Sequence, residues 1–470
     1  MPFNSFENYP MTWKLDRERL KPPLYISIAN ALEEDIKNGI LTPNTKLPPQ
    51  RELADYLDVN LSTITRAFKI CEMKGLLYAT VGKGTYVSSI ASMPLPYRAS
   101  LQDKQYIDFS QIRPFYEFNE VVAEVARSIM LRPNANTLFE YNYSVEGSRY
   151  ELAGQKWLNQ YHMNVPLDNI LITSGTQNAL VISLQSFFSA GDKIAIDSYS
   201  YPNFIGLANL LNIQLVAIEN DECGMIPESL EMNCKINGIK GIYLVPSCNN
   251  PTAITMPQCR RDKIAKIILN NQLLLIEDDT YAFLAPNLYP ISCSVPEQFI
   301  YISGTSKALC AGLRVAFVAF SDKLKTEIIR GMQSVNLKTP LLNLEIITEM
   351  IESNIATQLV SQRIQLSRER NSIYQKYFTT PSCCNPLSFF QWLPLPKGCN
   401  GYNFELQAKK SGLLLFCSER FTVGPPRENT AIRISMCSVK NNTELETGLK
   451  IIQKLINENI FPEPMNTFIV

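Results

Sequence analysis

Lys307 closes the run Ser303-Gly304-Thr305-Ser306-Lys307, and Arg314 stands seven residues on, in Gly312-Leu313-Arg314. A primary amine condenses with a carbonyl to give an exchangeable imine, and a guanidinium grips a phosphate through two parallel N–H bonds. Upstream, Asn250-Pro251-Thr252 offers an amide, and Asp278-Asp279-Thr280-Tyr281 offers a carboxylate and a phenol. Asn250 and Tyr281 can hold a phenolate oxygen, while Asp278 can keep a ring nitrogen protonated and so keep the ring an electron sink. Ser174-Gly175-Thr176-Gln177 follows an apolar run and opens a helical pattern, so its amides and helix dipole suit the same phosphate, with Ser306 a further candidate. Read in chain order, these groups describe a site for a phosphorylated ring that carries an aldehyde.

The elements that must position them alternate. Short β-rich runs at Ile170–Thr173, Lys193–Asp197, Gly241–Val245, Leu273–Glu277 and Val315–Phe320 are separated by helical patterns, the rhythm of an α/β domain with a mostly parallel sheet. A strand over Ala431–Ser435 and a closing helix from Thr443 to Asn457 complete residues 107–470. Residues 22–90 read differently. Leu24, Ile28, Ala31, Leu32 and Ile36 recur at helical spacing with Asp35 as the one polar miss, and Gly39 ends that helix. A short helix over Gln50–Leu57, a longer one from about Ser62 to Gly75, and two small strands joined by Gly82-Lys83-Gly84 follow. Helix, helix, helix and two-stranded wing is the order of a winged helix-turn-helix, an α+β module. Residues 88–106 lose periodicity, and a linker is expected over 89–106.

At 470 residues more than one core is expected. Forty-four basic residues cancel forty-four acidic ones, so no global field draws nucleic acid and any DNA site rests on local charge. Twelve cysteines, single apart from Cys383-Cys384 and with no CxxC spacing, no apolar core in Met1–Lys21 and no stretch long enough to span a bilayer imply reduced thiols in a cytoplasmic protein. A single histidine, His162, leaves no multi-histidine metal site and no Ser-His-Asp triad, and no metal is expected.

Four blocks resemble the GntR family of bacterial regulators: Leu47-Pro48-Pro49-Gln50-Arg51-Glu52-Leu53-Ala54, Ser62-Thr63-Ile64-Thr65-Arg66-Ala67-Phe68, Gly75-Leu76-Leu77 and Gly82-Lys83-Gly84-Thr85-Tyr86-Val87. The resemblance covers residues 22–88 and implies binding of double-stranded DNA. Thr63, Thr65 and Arg66 would reach base edges or phosphates, Arg51 a phosphate, and Lys83 and Gly84 the backbone at the wing tip. Asn44 stands where a turn glycine is usual, and Leu61 where a DNA-contacting arginine is common.

Residues 107–470 resemble the fold-type I aminotransferases, which implies pyridoxal 5'-phosphate (PLP) as cofactor and Lys307 as the catalytic lysine. On that resemblance Tyr201 stacks on the ring, Arg433 in Ala431-Ile432-Arg433-Ile434-Ser435 binds an α-carboxylate, and Tyr141 or Tyr143 reaches a neighbouring subunit's phosphate. Ala253 replaces a glycine usual after Asn-Pro-Thr, and Gly304 replaces a residue that is often a hydroxyl. The two halves together resemble the MocR subfamily of regulators. That implies a homodimer, no membrane, and sensing of an amino acid, an amine or PLP through aldimine exchange at Lys307. The same residues would equally serve a working aminotransferase with an appended DNA-binding-like domain.

Overall fold

The computed structural model describes residues 11–17, 20–37, 40–41, 45–73, 76–80, 84–88, 106–140, 148–424 and 430–460. Two compact units, Met1–Lys104 and Gln105–Val470, are each described by themselves.

In the first unit the three expected helices form: α1 (Leu24–Lys37), α2 (Gln50–Leu57) and α3 (Leu61–Met73). The wing strands β1 (Leu77–Thr80) and β2 (Gly84–Val87) pair antiparallel, with Tyr78 opposite Tyr86 and their rings stacked at 5.5 Å. Helix α2 stops at Asp58, which adopts the left-handed conformation with φ 50° and allows the sharp turn into α3. Ile28, Leu32, Leu53, Leu57, Ile64 and Phe68 are buried in one apolar core. Trp13 and Leu15, ahead of Pro22, belong to the same core. The indole N–H of Trp13 donates to Asp35 Oδ2 at 2.7 Å, which gives the polar miss of helix α1 its partner.

The second unit is built on seven strands: β3 (Ile170–Thr173), β4 (Lys193–Asp197), β5 (Gln214–Ile218), β6 (Gly241–Leu244), β7 (Leu274–Asp278), β8 (Phe299–Gly304) and β9 (Ala316–Phe320). Their spatial order is β3-β9-β8-β7-β6-β4-β5. Every pairing is parallel except those of β9, which runs antiparallel to both neighbours. Strands β6, β8 and β9 are buried at every position, as expected for strands covered on both faces. A smaller antiparallel sheet joins β10 (Phe390–Pro394), β11 (Phe416–Cys417) and β12 (Ala431–Ser435) in the order β10-β12-β11. The first stretch of this unit, Ile107–Asp108, pairs parallel with Leu413–Leu414. Among the described residues, no helix is long and apolar enough to cross a membrane.

Candidate functional site

Parallel strands deliver their carboxyl ends to one edge of the sheet, where open α/β sheets bind ligands. Asp278 is the last residue of β7, and Lys307 follows three residues after β8 ends. Thr173 ends β3 and leads through Ser174 and Gly175 into helix α4 (Thr176–Phe187). Strand β9 starts at this same edge because it is antiparallel, so Arg314 arrives there from the opposite chain direction.

Gly175 has φ +86°, and a Cβ on it would lie 2.7 Å from a terminal nitrogen of Arg314. Only glycine lets the helix N-terminus and the guanidinium share so small a space. Arg314 itself is left-handed, with φ 52°, and its Nη1 donates to Ser306 Oγ at 3.0 Å. Thr176 Oγ1 lies 3.1 Å from Thr280 Oγ1. Ser174 Oγ accepts from Asn336 Nδ2 at 2.6 Å, and Gln177 Oε1 is buried without a partner. Ala253 sits at φ 59°, in the left-handed region that glycine adopts most readily.

Asp278 is buried, and burial pushes its carboxyl up to about 6 against the hydrogen bonds it receives. Those come from Thr280 Oγ1 at 2.7 Å, Thr280 N at 3.3 Å and Tyr243 Oη at 3.1 Å. At neutral pH it is therefore a carboxylate. Lys307 moves the other way. Burial brings its ammonium down to about 8, helped by Arg433 and Arg314 and opposed by Cys437 and Asp278. A far larger share of Lys307 is therefore neutral at pH 7 than of a solvated lysine, and the neutral amine is the nucleophile.

Arg433, on β12, is buried with Phe421, Phe390 and Phe416 around it, the nearest ring centre 4.7 Å from its guanidinium carbon. Its Nη1 donates to Asn250 Oδ1 at 2.7 Å, and its Nη2 to the carbonyl of Ser110. Burial brings its pKa down to about 10, which leaves it cationic at neutral pH. Lys307 Nζ donates to the carbonyl of Ile112 at 2.6 Å. Tyr281 is buried beside Phe389 and Phe390, and Tyr201 at the start of a helix takes a bond from Asn203 Nδ2 at 2.9 Å. Lys307, Arg314, Ser306, Gly175, Thr176, Asp278, Tyr281, Asn250 and Arg433 are thus interlinked by contact or by charge; Tyr201 joins them through its influence on Tyr243 and Arg433.

In the first unit, Arg51, Thr65 and Arg66 are exposed and Thr63 is half-buried. Thr65 Oγ1 donates to Gln50 Oε1 at 2.8 Å, tying the start of α2 to α3. Gly84 is exposed at the tip end of the wing, where it pairs with Thr80, and Lys83, Tyr141 and Tyr143 lie outside the described residues. Lys46, which the sequence did not single out, pairs across from Tyr86, and its Cε lies where a Cβ on Gly84 would touch it at 3.0 Å. It adds an exposed cation beside the wing.

Residues 24–87 match the model of bacterial regulatory proteins of the gntR family, and residues 112–452 match that of class I and II aminotransferases. An HTH-type transcriptional regulator of Bacillus subtilis, YdeF, is 37% identical over 97% of this chain and 100% of its own length. The chain belongs to the MocR-type regulators. This transcriptional regulator is also similar to the vitamin B6 salvage pathway repressor PtsJ of Salmonella typhimurium, 24% identical over 92% of this chain and 98% of that protein. In fold, its second unit resembles the α-aminoadipate aminotransferase LysN of Thermus thermophilus, solved with N-(5'-phosphopyridoxyl)-L-leucine. The TM-score is 0.67 and the identity 23%, covering 76% of this chain and 93% of that one.

PLP is the cofactor of this domain type, and the residues present fit it. The fit rests on the cradle that only glycine leaves between Arg314 and helix α4, a lysine brought near neutral pH, and an ionised carboxylate at a strand end. Sequence reasoning missed Tyr243, Thr280 and the carbonyls of Ser110 and Ile112. Tyr243 reads as one more apolar position of a buried strand, and main-chain acceptors carry no residue signature.

Proposed function

We propose that this regulator switches on exchange of a primary amine at Lys307. In this reading residues 22–88 hold double-stranded DNA through Arg51, Thr63, Thr65, Arg66, Lys83 and Gly84. Residues 89–106 form the linker, residues 107–470 take PLP and the effector, and the chain works as a cytoplasmic homodimer. Bound PLP supplies an aldehyde carbon open to an amine and a ring that draws off electron density. The protein's part is positional. Arg314, Ser306 and the loop Ser174–Gln177 hold phosphate, Asp278 keeps a proton on the ring nitrogen, Asn250 and Tyr281 hold the phenolate oxygen, and Tyr201 covers the ring face.

One observation carries the switch. Lys307 and Arg433 both donate into a single stretch of main chain, to Ile112 and Ser110, while Ser438 Oγ donates to Gln111 between them. That stretch comes directly after the linker in sequence. An amino acid effector would bring a carboxylate to Arg433, where it competes with Ser110, and an amine that takes the place of Lys307 at the aldehyde carbon, which leaves the Lys307 amine free to donate to Ile112. Both holds on the stretch therefore change when the effector binds, and the shift is set by its differential affinity for the two states. Transcription from the target promoter, measured with candidate amino acids for wild type and Lys307→Ala, tests this. A response that survives the substitution unchanged sinks the reading.

A further inference from the structure

Asp278 receives three hydrogen bonds, and two come from Thr280: its N–H and its hydroxyl both donate to Oδ1, at 3.3 and 2.7 Å. A hydroxyl has one proton. With that proton on Asp278, Thr280 Oγ1 is left as an acceptor, so the proton in its 3.1 Å contact with Thr176 comes from Thr176. Donation therefore runs from Thr176 to Thr280 to Asp278. Thr176 is the first residue of helix α4, within the phosphate loop, and Asp278 sits at the end of β7, so the chain of hydroxyls joins the two ends of the cofactor site.

Room for this chain comes from Gly304. A Cβ there would lie 2.2 Å from Thr176 Oγ1 and 2.9 Å from Thr280 Oγ1. The glycine has φ −79° and ψ 130°, a conformation open to any residue, so space and not backbone freedom requires it. Thr280 brings a hydroxyl into that space from just beyond the end of the neighbouring strand.

We propose that Thr280 is a positioning residue for Asp278, tying that carboxylate to the phosphate loop through Thr176, and that Gly304 is the space that admits it. The inference rests on the PLP reading above. Thr176 has a single proton to give, so a phosphate oxygen and Thr280 draw on the same donor, and filling the loop is coupled to the hold on Asp278.

The test is PLP titration of the full-length protein, followed by visible absorption across pH 5–8, for wild type, Thr280→Val, Thr280→Ser and Gly304→Ala. Thr280→Val is expected to weaken PLP binding about tenfold to a hundredfold, the loss of one hydrogen bond to a charged group. Its acid-side loss of affinity should also set in at higher pH than in wild type, because Asp278 then holds its proton more tightly. Thr280→Ser should restore both properties. Gly304→Ala should mimic Thr280→Val in the wild-type background and add little to it in the double variant. Thermal unfolding confirms that each variant is folded; should Thr280→Val fail to fold, Thr280→Ser and Gly304→Ala carry the comparison. Superimposable affinity and pH profiles for wild type and folded Thr280→Val overturn the proposal, as does equal impairment of the Val and Ser variants. A wild type that takes up no PLP overturns the cofactor reading and this inference with it; the two failures are told apart because only the former shows in the wild type.

Discussion

Arg66 and Arg433 are both guanidiniums offered to an anion, yet one stands in water on helix α3 and the other lies buried among Phe390, Phe416 and Phe421. The same contrast runs through the two units. In the winged helix, the apolar residues form the core, and Arg51, Thr65 and Arg66 lie on the surface, where long cations can displace counterions from a phosphate backbone. In the aminotransferase-like unit, Arg314 is exposed but Asn250, Asp278, Tyr281 and Arg433 are withdrawn from water, and Asp278, Lys307 and Arg433 all titrate away from their ordinary ranges. A polyanion is gripped by many solvated charges of small individual worth. A small amino compound has few handles, so each group that meets it must be strengthened and tuned by desolvation.

The sharpest test of this division is Lys307→Ala, which should abolish the visible band of bound PLP while leaving operator affinity without effector within a few-fold of wild type. Loss of DNA binding in the same variant would break the separation of roles. Next in size is the pH dependence of PLP uptake. Only the neutral amine attacks a carbonyl, and the neutral fraction grows as pH rises, so the uptake rate should climb about tenfold per pH unit and level near pH 8. A rate still climbing through pH 10, as for a solvated lysine, would contradict the desolvated site. Arg66→Ala should weaken operator binding about fivefold to fiftyfold and lower the salt slope by about one, with PLP affinity unchanged. The smallest effect is expected from Trp13→Phe, which removes the bond to Asp35. It should cost the first unit about 1 kcal/mol in urea unfolding and leave both ligands' affinities alone.

Much of this was legible in the sequence, for an identifiable reason. Lys307, Arg314, Asp278, Asn250 and Tyr281 lie at or just beyond strand ends, where the short steps between them are set by local geometry, and Arg433 lies within a strand whose apolar frame fixes its register. Helix α2 was read to the residue, since its apolar positions and flanking turn agree. What stayed hidden depended on distant pairings. Tyr243 meets Asp278 only because β6 and β7 are neighbours, Trp13 meets Asp35 across an interval of 22 residues, and Lys46 meets the wing only once β2 is in place. Gly304 was visible as a departure, but its meaning required knowing that Thr176 and Thr280 converge on it.

The lone antiparallel strand has one more consequence. Because β9 runs back against β8, residues Thr305–Val315 leave and re-enter the sheet at the same edge. The amine and the phosphate clamp therefore sit on one compact turn and come together in folding without waiting for any distant closure. That turn is also a ruler: with Lys307 and Arg314 fixed at both ends by strands in register, inserting even one residue between them would change the span measured out for the cofactor, while longer insertions elsewhere on the surface would pass unnoticed.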